Sequence, residues 1–155
     1  MEIYAPNTKL TNLTKFCLKD YEYIPITLDD NEGYWQFFKD RWDNGRKFIS
    51  VEQDIGFYPG ALEAIWNCPA NWCTYGYDMI GVLDHPGSTP PLGLVKFNDI
   101  FIGQTKTMFD ELPSRNWRDM DSGINNWVKA TKGMVFGVHL HYPSVINFHE
   151  QQVSV

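Results

Sequence analysis

The stretch "SVEQDIG", residues 50 to 56, ends an apolar run with two carboxylates, Glu52 and Asp54, spaced two apart. On a strand, side chains two apart point the same way, so both would converge just past the strand's end. Two like charges repel there unless a cation or a positive partner sits between them. The chemistry this pattern suggests is a divalent cation held against the diphosphate of a nucleotide. Hard cations prefer carboxylate oxygens and keep positions open for phosphate. The plain alternative is a solvated strand end, or a cap for the helix expected from Pro59.

Three further groups have chemical reach. In "VHLH", His139 and His141 are again two apart on an expected strand, which suits a metal ligand, a diphosphate contact, or simply the wet face of an edge strand. His149 in "NFHE" is a third imidazole, in what reads as a tail. In "NWRDMDSGIN", Asp119 and Asp121 stand where a helix begins. There a carboxylate either caps the helix, worth about 0.5–2 kcal/mol relative to Ala, or serves as a general base. In "ITLDDNEGYW", Asp29 and Asp30 follow an expected strand and suit either a base or ribose contact or a helix cap.

Composition narrows the setting. The chain has 155 residues, enough for one domain with a real core. The net charge of −6 disfavours sequence-independent nucleic-acid binding, which needs a basic footprint. No apolar run approaches the ~20 residues of a membrane span, and the N-terminus has no long apolar signal region. Six Trp, eight Tyr and ten Phe suit a core filled with bulky rings, or a cleft that stacks on flat ligands. Cys17, Cys68 and Cys73 match no zinc-ligand spacing; Cys68 and Cys73 lie beside Trp in an apolar stretch and read as core. A reducing cytoplasm is the simplest home for such a set. Gly-rich phosphate loops, a nucleophile elbow and a His-Glu-x-x-His helix are all missing from the sequence.

The elements needed to position these residues alternate. "EIYA" is a strand, and "NTKLTNLTKFCLKD" a helix capped at Asn7 or Thr8. "YEYIPI" is a second strand, "GYWQFFKDRWDNG" a helix stopped by Gly45, and "RKFISVEQD" a third strand. "PGALEAIWN" is a helix with Pro59 in its first turn. "WCTYGY" and "LGLVKF" are strands flanking the loop "DMIGVLDHPGSTPP", whose Gly and Pro suit a mobile lid. "NDIFIGQTKTMFDEL" and "DSGINNWVKATKG" read as helices, "MVFGVHLHYP" as the last strand, and "SVINFHEQQVSV" as a tail. Strand–helix alternation in the first half predicts right-handed crossovers and a mainly parallel sheet, with ligands beyond the strands' carboxyl ends.

The series "IYAPNT", "LDDNEGYW", "FISVEQDIGFYPGALEAIWNCPANWCTYGY", "LGLVKF", "NWRDMDSGINNWV" and "VHLHYP" resembles a small glycosyltransferase of the GT-A type, in the compact version found in phage and bacterial sequences. The resemblance covers nearly the whole chain and is sharpest from Phe48 to Tyr77. It implies an α/β fold: a single GT-A-like (Rossmann-like) domain over residues 1–155, a three-layer sandwich with a mainly parallel central sheet. It puts the family's DxD element on "EQD", with Asp54 as ligand to Mn²⁺ or Mg²⁺. Glu52 and Gln53 would then lie against the sugar nucleotide. Glu in place of the first Asp leaves open whether Glu52 also touches the metal. His139, with His141 second, is the implied further metal ligand, and mixed carboxylate–imidazole ligation favours Mn²⁺. Asp121, followed by Ile124 and Val128 three and seven residues on, is the implied catalytic base, and Asp119 the alternative. Tyr4, Ala5 and Pro6 would line the nucleobase and ribose pocket, with Asp30 nearby.

The resemblance implies transfer of a sugar, by default from a uridine diphosphate sugar, to an acceptor hydroxyl with inversion. The acceptor is unknown, and a second subunit could complete its site in a homo-oligomer. If the chain is viral, the host cytoplasm is the implied compartment. Two rivals stand beside this reading. One is a non-catalytic nucleotide-sugar or carbohydrate-binding protein. The other is a sugar nucleotidyltransferase, which usually needs a Gly-rich N-terminal loop; "YAPNTKL" contains no Gly.

Overall fold

A computed structural model describes residues 1–80, 90–132 and 138–148. Residues 81–89 of the expected lid, Gly133 and His149 lie outside the described residues. The chain runs β1 (Ile3–Asn7), α1 (Asn12–Leu18), β2 (Ile24–Thr27), α2 (Gly33–Asn44), β3 (Phe48–Val51), β4 (Ile55–Gly56), α3 (Ala61–Asn67) and β5 (Trp72–Ile80). It continues through β6 (Leu94–Phe97), α4 (Asp99–Gln104), α5 (Met108–Glu111), a 3₁₀ turn (Trp117–Asp119), α6 (Met120–Lys132) and β7 (His139–Phe148).

The strands form one sheet in the order β2-β1-β3-β6-β5-β7-β4. It is mixed rather than mainly parallel. β1 pairs in parallel with β2 and β3, and β5 with β7, but β6 is antiparallel to both β3 and β5, and β4 is antiparallel to β7. The reason is local. A parallel pair needs a crossover, and helices α1 and α2 supply one after β1 and after β2. No helix of the described residues separates β5 from β6, so the chain returns beside itself in the opposite direction.

Both faces of the sheet are covered. Alternation along β1 sends Tyr4 to one face and Ile3 and Ala5 to the other, and β3 likewise sends Phe48 one way and Ile49 and Val51 the other. On the first face, α2, α4, α5 and α6 bury Phe38, Trp42, Phe101, Phe109 and Ile124 against Phe48 and Phe97. On the second, α1 and α3 bury Leu18, Leu62 and Ile65. The rings on the first face pack edge-on or offset, as with Trp42 and Phe109 at 4.8 Å between centroids. Their polar handles are satisfied: Trp35 Nε1 donates to the Phe109 carbonyl at 2.9 Å and Trp42 Nε1 to Thr105 Oγ1 at 3.1 Å. Core filling thus uses most of the aromatic surplus.

Several boundaries differ from expectation. Asn7 is still part of β1, so Thr11 caps α1, accepting from Thr14 N. α3 begins at Ala61 behind Gly60, which sits at φ 88°, two residues later than Pro59 suggested. The long "NDIFIGQTKTMFDEL" helix breaks into α4 and α5 near Thr105, whose hydroxyl bonds back to the Phe101 carbonyl. Much of the expected tail is strand: Val145 and Asn147 alternate inward, and β7 runs to Phe148 between β5 and β4. Gly45 ends α2 at φ 76°, as its type demanded. Among the described residues, no helix is long and apolar enough to cross a membrane.

Candidate functional site

β3 stops at Val51, so Glu52, Gln53 and Asp54 lie in the turn that leads to β4 rather than on a strand. The turn is tied to three neighbours. Glu52 N donates to the Gly93 carbonyl at 2.8 Å, Thr11 N to the Gln53 carbonyl at 2.9 Å, and Phe148 N to the Asp54 carbonyl at 2.8 Å. Both carboxylates nevertheless line one cleft of about 520 Å³, beside Pro6, Asp30, Trp117 and Asn147. The cleft lies beyond the carboxyl ends of β1, β2 and β3, where ligands of open α/β sheets bind.

Its electrostatics are those of crowded, desolvated acids. The Glu52 carboxyl is pushed up to about 8, first by loss of water, then by the neighbouring charge of Asp121 and, less, that of Asp54. Tyr34 Oη donates to Glu52 Oε1 at 2.6 Å and opposes that rise. Asp121 is in the first turn of α6, and its carboxyl is pushed up to about 6 by burial, against bonds from its own and the Leu92 backbone N–H groups. The phenols of Tyr34 and Tyr77 are held well above their ordinary range by burial and by the Glu52 and Asp121 charges. Glu52, Asp54, Asp121, Tyr34 and Tyr77 therefore form one electrostatic unit.

That unit suits a hard divalent cation. Carboxylates that lack water and repel one another gain most from a positive ion, and one or two suffice when substrate phosphates complete the shell. Glu52 and Asp54 are the pair on the cleft that could hold such an ion.

The other expected residues are placed variously. Pro6 and Asp30 border the cleft, and Asp30 Oδ1 also accepts from Glu32 N at 2.9 Å, bracing the turn before α2. Gln53 borders it too, but its Oε1 takes the Thr8 N–H at 2.8 Å and the Thr8 hydroxyl at 3.0 Å, which fixes the loop after β1. Tyr4 and Ala5 are buried in the sheet. Tyr4 Oη donates to Glu2 Oε1 at 2.7 Å, away from the cleft. Asp119 lies exposed in the 3₁₀ turn with Oδ2 accepting from Ser114 Oγ at 2.7 Å.

His139 and His141 are not brought to Asp54. They start β7 opposite Cys73 and Tyr75 of β5, whereas Asp54 meets β7 at Phe148, opposite Ile80. The five steps from Tyr75 to Ile80 put His141 roughly 16 Å from that point, and His139 two steps further. The imidazoles are at the other end of the sheet.

Three residues of the site carried no functional reading in the sequence, and a fourth, Tyr34, was read as core first. Tyr77 falls at the end of an apolar strand with no pattern to mark it. Trp117 is 49% exposed and presents a ring to the cleft, where a flat base could stack. Asn147 is buried, and its Oδ1 has no hydrogen-bond partner among the described residues, so it offers an acceptor to a ligand.

Gly93 sets a steric limit on the site. A Cβ there would lie 2.0 Å from Tyr77 Oη and 2.6 Å from its ring. Gly93→Ala should therefore displace Tyr77 and destabilise the protein by about 1–3 kcal/mol, measured as a lowered Tm.

No protein-family model matches the sequence, and no curated protein is significantly similar to it. Solved structures do share its fold. One is a glycosyltransferase involved in glycosylation of the major capsid of PBCV-1, with a TM-score of 0.51 and 12% identity over 92% of this chain and 83% of that one. Another is assigned as a glucose-1-phosphate thymidylyltransferase from Bacillus anthracis, in complex with a sucrose. Its TM-score is 0.51, with 10% identity over 92% of this chain and 68% of that one. The chain thus shares its fold with these two structures, and its described strands form a mixed seven-stranded sheet.

Proposed function

We propose that this protein transfers a sugar from a nucleoside diphosphate sugar, with uridine diphosphate sugars as first candidates, to an acceptor hydroxyl with inversion. The observation that carries this reading is the pair Glu52 and Asp54 on the cleft beyond the parallel strands, with the charge of Asp121 acting on Glu52 and the Asp121 carboxyl itself pushed up to about 6 by burial. A group with that pKa is ionised at neutral pH yet basic enough to accept a proton, which is what a general base requires.

Each residue has a task. Trp117 and Pro6 receive the nucleobase along the open side of the cleft, and Asn147 Oδ1 accepts a hydrogen bond from donor or acceptor. Glu52 and Asp54 hold a divalent cation, Mn²⁺ or Mg²⁺. Bound there, that ion would neutralise charge developing on the leaving diphosphate. Asp121 takes the acceptor's hydroxyl proton as its oxygen attacks the anomeric carbon from the face opposite the diphosphate. Tyr34 orients Glu52 through its 2.6 Å bond.

The first test is thermal stability with uridine diphosphate, with Mn²⁺, and with both, in wild type and Asp54→Ala. At ~100 times its dissociation constant a ligand stabilises by about 2.7 kcal/mol, which raises Tm by roughly 5–10 °C for a chain of this size. The expected shift needs both components and vanishes in the variant. No shift with uridine, guanosine or cytidine diphosphates overturns the reading. Consumption of a nucleoside triphosphate with a sugar 1-phosphate would instead establish a nucleotidyltransferase, the activity named for one of the two structural neighbours.

A further inference from the structure

At the far end of the sheet, two cysteines and two histidines from separate segments meet. Cys68 closes α3, Cys73 is on β5, and His139 and His141 begin β7. The parallel β5–β7 register sets His139 directly opposite Cys73 and His141 opposite Tyr75. One ligand atom from each of the four residues lies within 4.8 Å of the others. Cys68 Sγ is 3.0 Å from His139 Nδ1, and the two imidazole centroids are 4.2 Å apart. His141 Nε2 is buried and has no hydrogen-bond partner among the described residues.

We propose that these four side chains form a structural Zn²⁺ site, distinct from the carboxylate cleft. Zinc bonded to sulfur at ~2.3 Å and nitrogen at ~2.1 Å in a tetrahedron separates its ligand atoms by roughly 3.4–3.8 Å, so the cluster needs only small side-chain adjustments. Two thiolates and two neutral imidazoles around Zn²⁺ sum to zero charge, which suits a place where Cys73 is buried and Cys68 half-buried. The buried His141 Nε2 gains the partner it otherwise lacks.

Charge and donor type agree with this assignment. The nearby Lys96 ammonium is engaged by the Cys68 carbonyl at 2.6 Å, the Ala70 carbonyl at 2.9 Å and Asn98 Oδ1 at 3.2 Å. Its positive charge meets a neutral rather than a cationic centre once zinc is bound. Soft sulfur and imidazole donors select zinc, whereas the hard carboxylates of the cleft select Mn²⁺ or Mg²⁺. Four protein ligands fill the tetrahedron and leave no open position for substrate, so the site is a rivet. It ties the α3–β5 connection to the start of β7. His139 is exposed, which gives the ion its way in.

The test uses the full chain, expressed with zinc in the medium and desalted. Elemental analysis should find one zinc per chain. Replacement by cobalt should give the visible d–d bands of a tetrahedral site together with thiolate charge transfer. Cys68→Ser and His139→Gln alter half-buried and exposed side chains and should fold, yet each should lose the zinc and the cobalt spectrum. Asp54→Asn should keep both. A wild-type chain that holds no zinc and gives no cobalt spectrum on titration overturns the proposal, and needs no variant to do so. So does zinc retained equally by Cys68→Ser and His139→Gln, or a metal-free chain whose Cys68 and Cys73 are joined as a disulfide. None of these results depends on whether the cleft transfers a sugar.

Discussion

Asp121→Asn is expected to reduce kcat for sugar transfer by about 10²–10⁴-fold while leaving metal-dependent nucleotide binding in place. The amide keeps the size and position of the carboxyl at the start of α6 but cannot accept the acceptor's proton. Binding should survive because the Asp121 charge opposes ionisation of Glu52; without it, Glu52 gives up its proton more readily. Steady-state kinetics with a saturating donor separates the two effects. The wild-type rate should rise through an apparent pKa near the Asp121 value of about 6, and that limb should be missing in the variant. A variant with unchanged kcat, or one that loses nucleotide binding along with turnover, would remove Asp121 from the role of base.

The second large effect is on pH. The folded-state pKa of Glu52, about 8, is above the ordinary carboxyl value of 4.5. The folded chain therefore binds more protons than the unfolded one between those values. Its contribution to stability is fully present below pH 4.5 and is lost as pH rises through about 8. The ligand-free protein should thus lose Tm from pH 5 to pH 8.5, and Glu52→Gln should flatten that decline.

Binding of a divalent cation with nucleotide has the opposite dependence, because the cation must displace the Glu52 proton. Affinity should rise about tenfold per pH unit well below pH 8 and level off near it, hence roughly 50-fold from pH 6 to pH 8. Isothermal titration in two buffers of different ionisation enthalpy counts the protons released, with about one expected at pH 7 and none from Glu52→Gln. Affinity independent of pH over this range would mean that Glu52 is no ligand.

Much of the architecture was legible where type and period agree. The α2 stripe of Tyr34, Trp35, Phe38 and Trp42, ended by Gly45, reads as a helix because helical spacing and a left-handed stop coincide. The mixed sheet was not legible, since the direction of β6 is set by its antiparallel pairing with β3 and β5 rather than by the residues of "LGLVKF". The convergence of Glu52 and Asp54 was anticipated, although the period-two reasoning behind it was not the cause: the two residues share a turn. Asp121 entered through its place at a helix start, a position that caps and bases share. Tyr77 and Asn147 left no trace, because burial and an unpaired oxygen are properties of the assembled fold. The same is true of Cys68 and Cys73. They are five residues apart and gain histidine neighbours only through the pairing of β5 with β7, more than 60 positions along the chain.

The position of β7 also governs the order of assembly. It is the last strand among the described residues, yet it sits inside the sheet between β5 and β4. Until it docks, β5 and β4 both present unpaired edges, and the Asp54 carbonyl lacks its Phe148 donor. Closing the sheet must wait for a contact of long sequence separation, which makes late folding slow and leaves intermediates with sticky edges. During synthesis the half-built sheet would be held open until residues near 148 leave the ribosome, and a chain stopped short of β7 would be a substrate for chaperones rather than a smaller version of the fold.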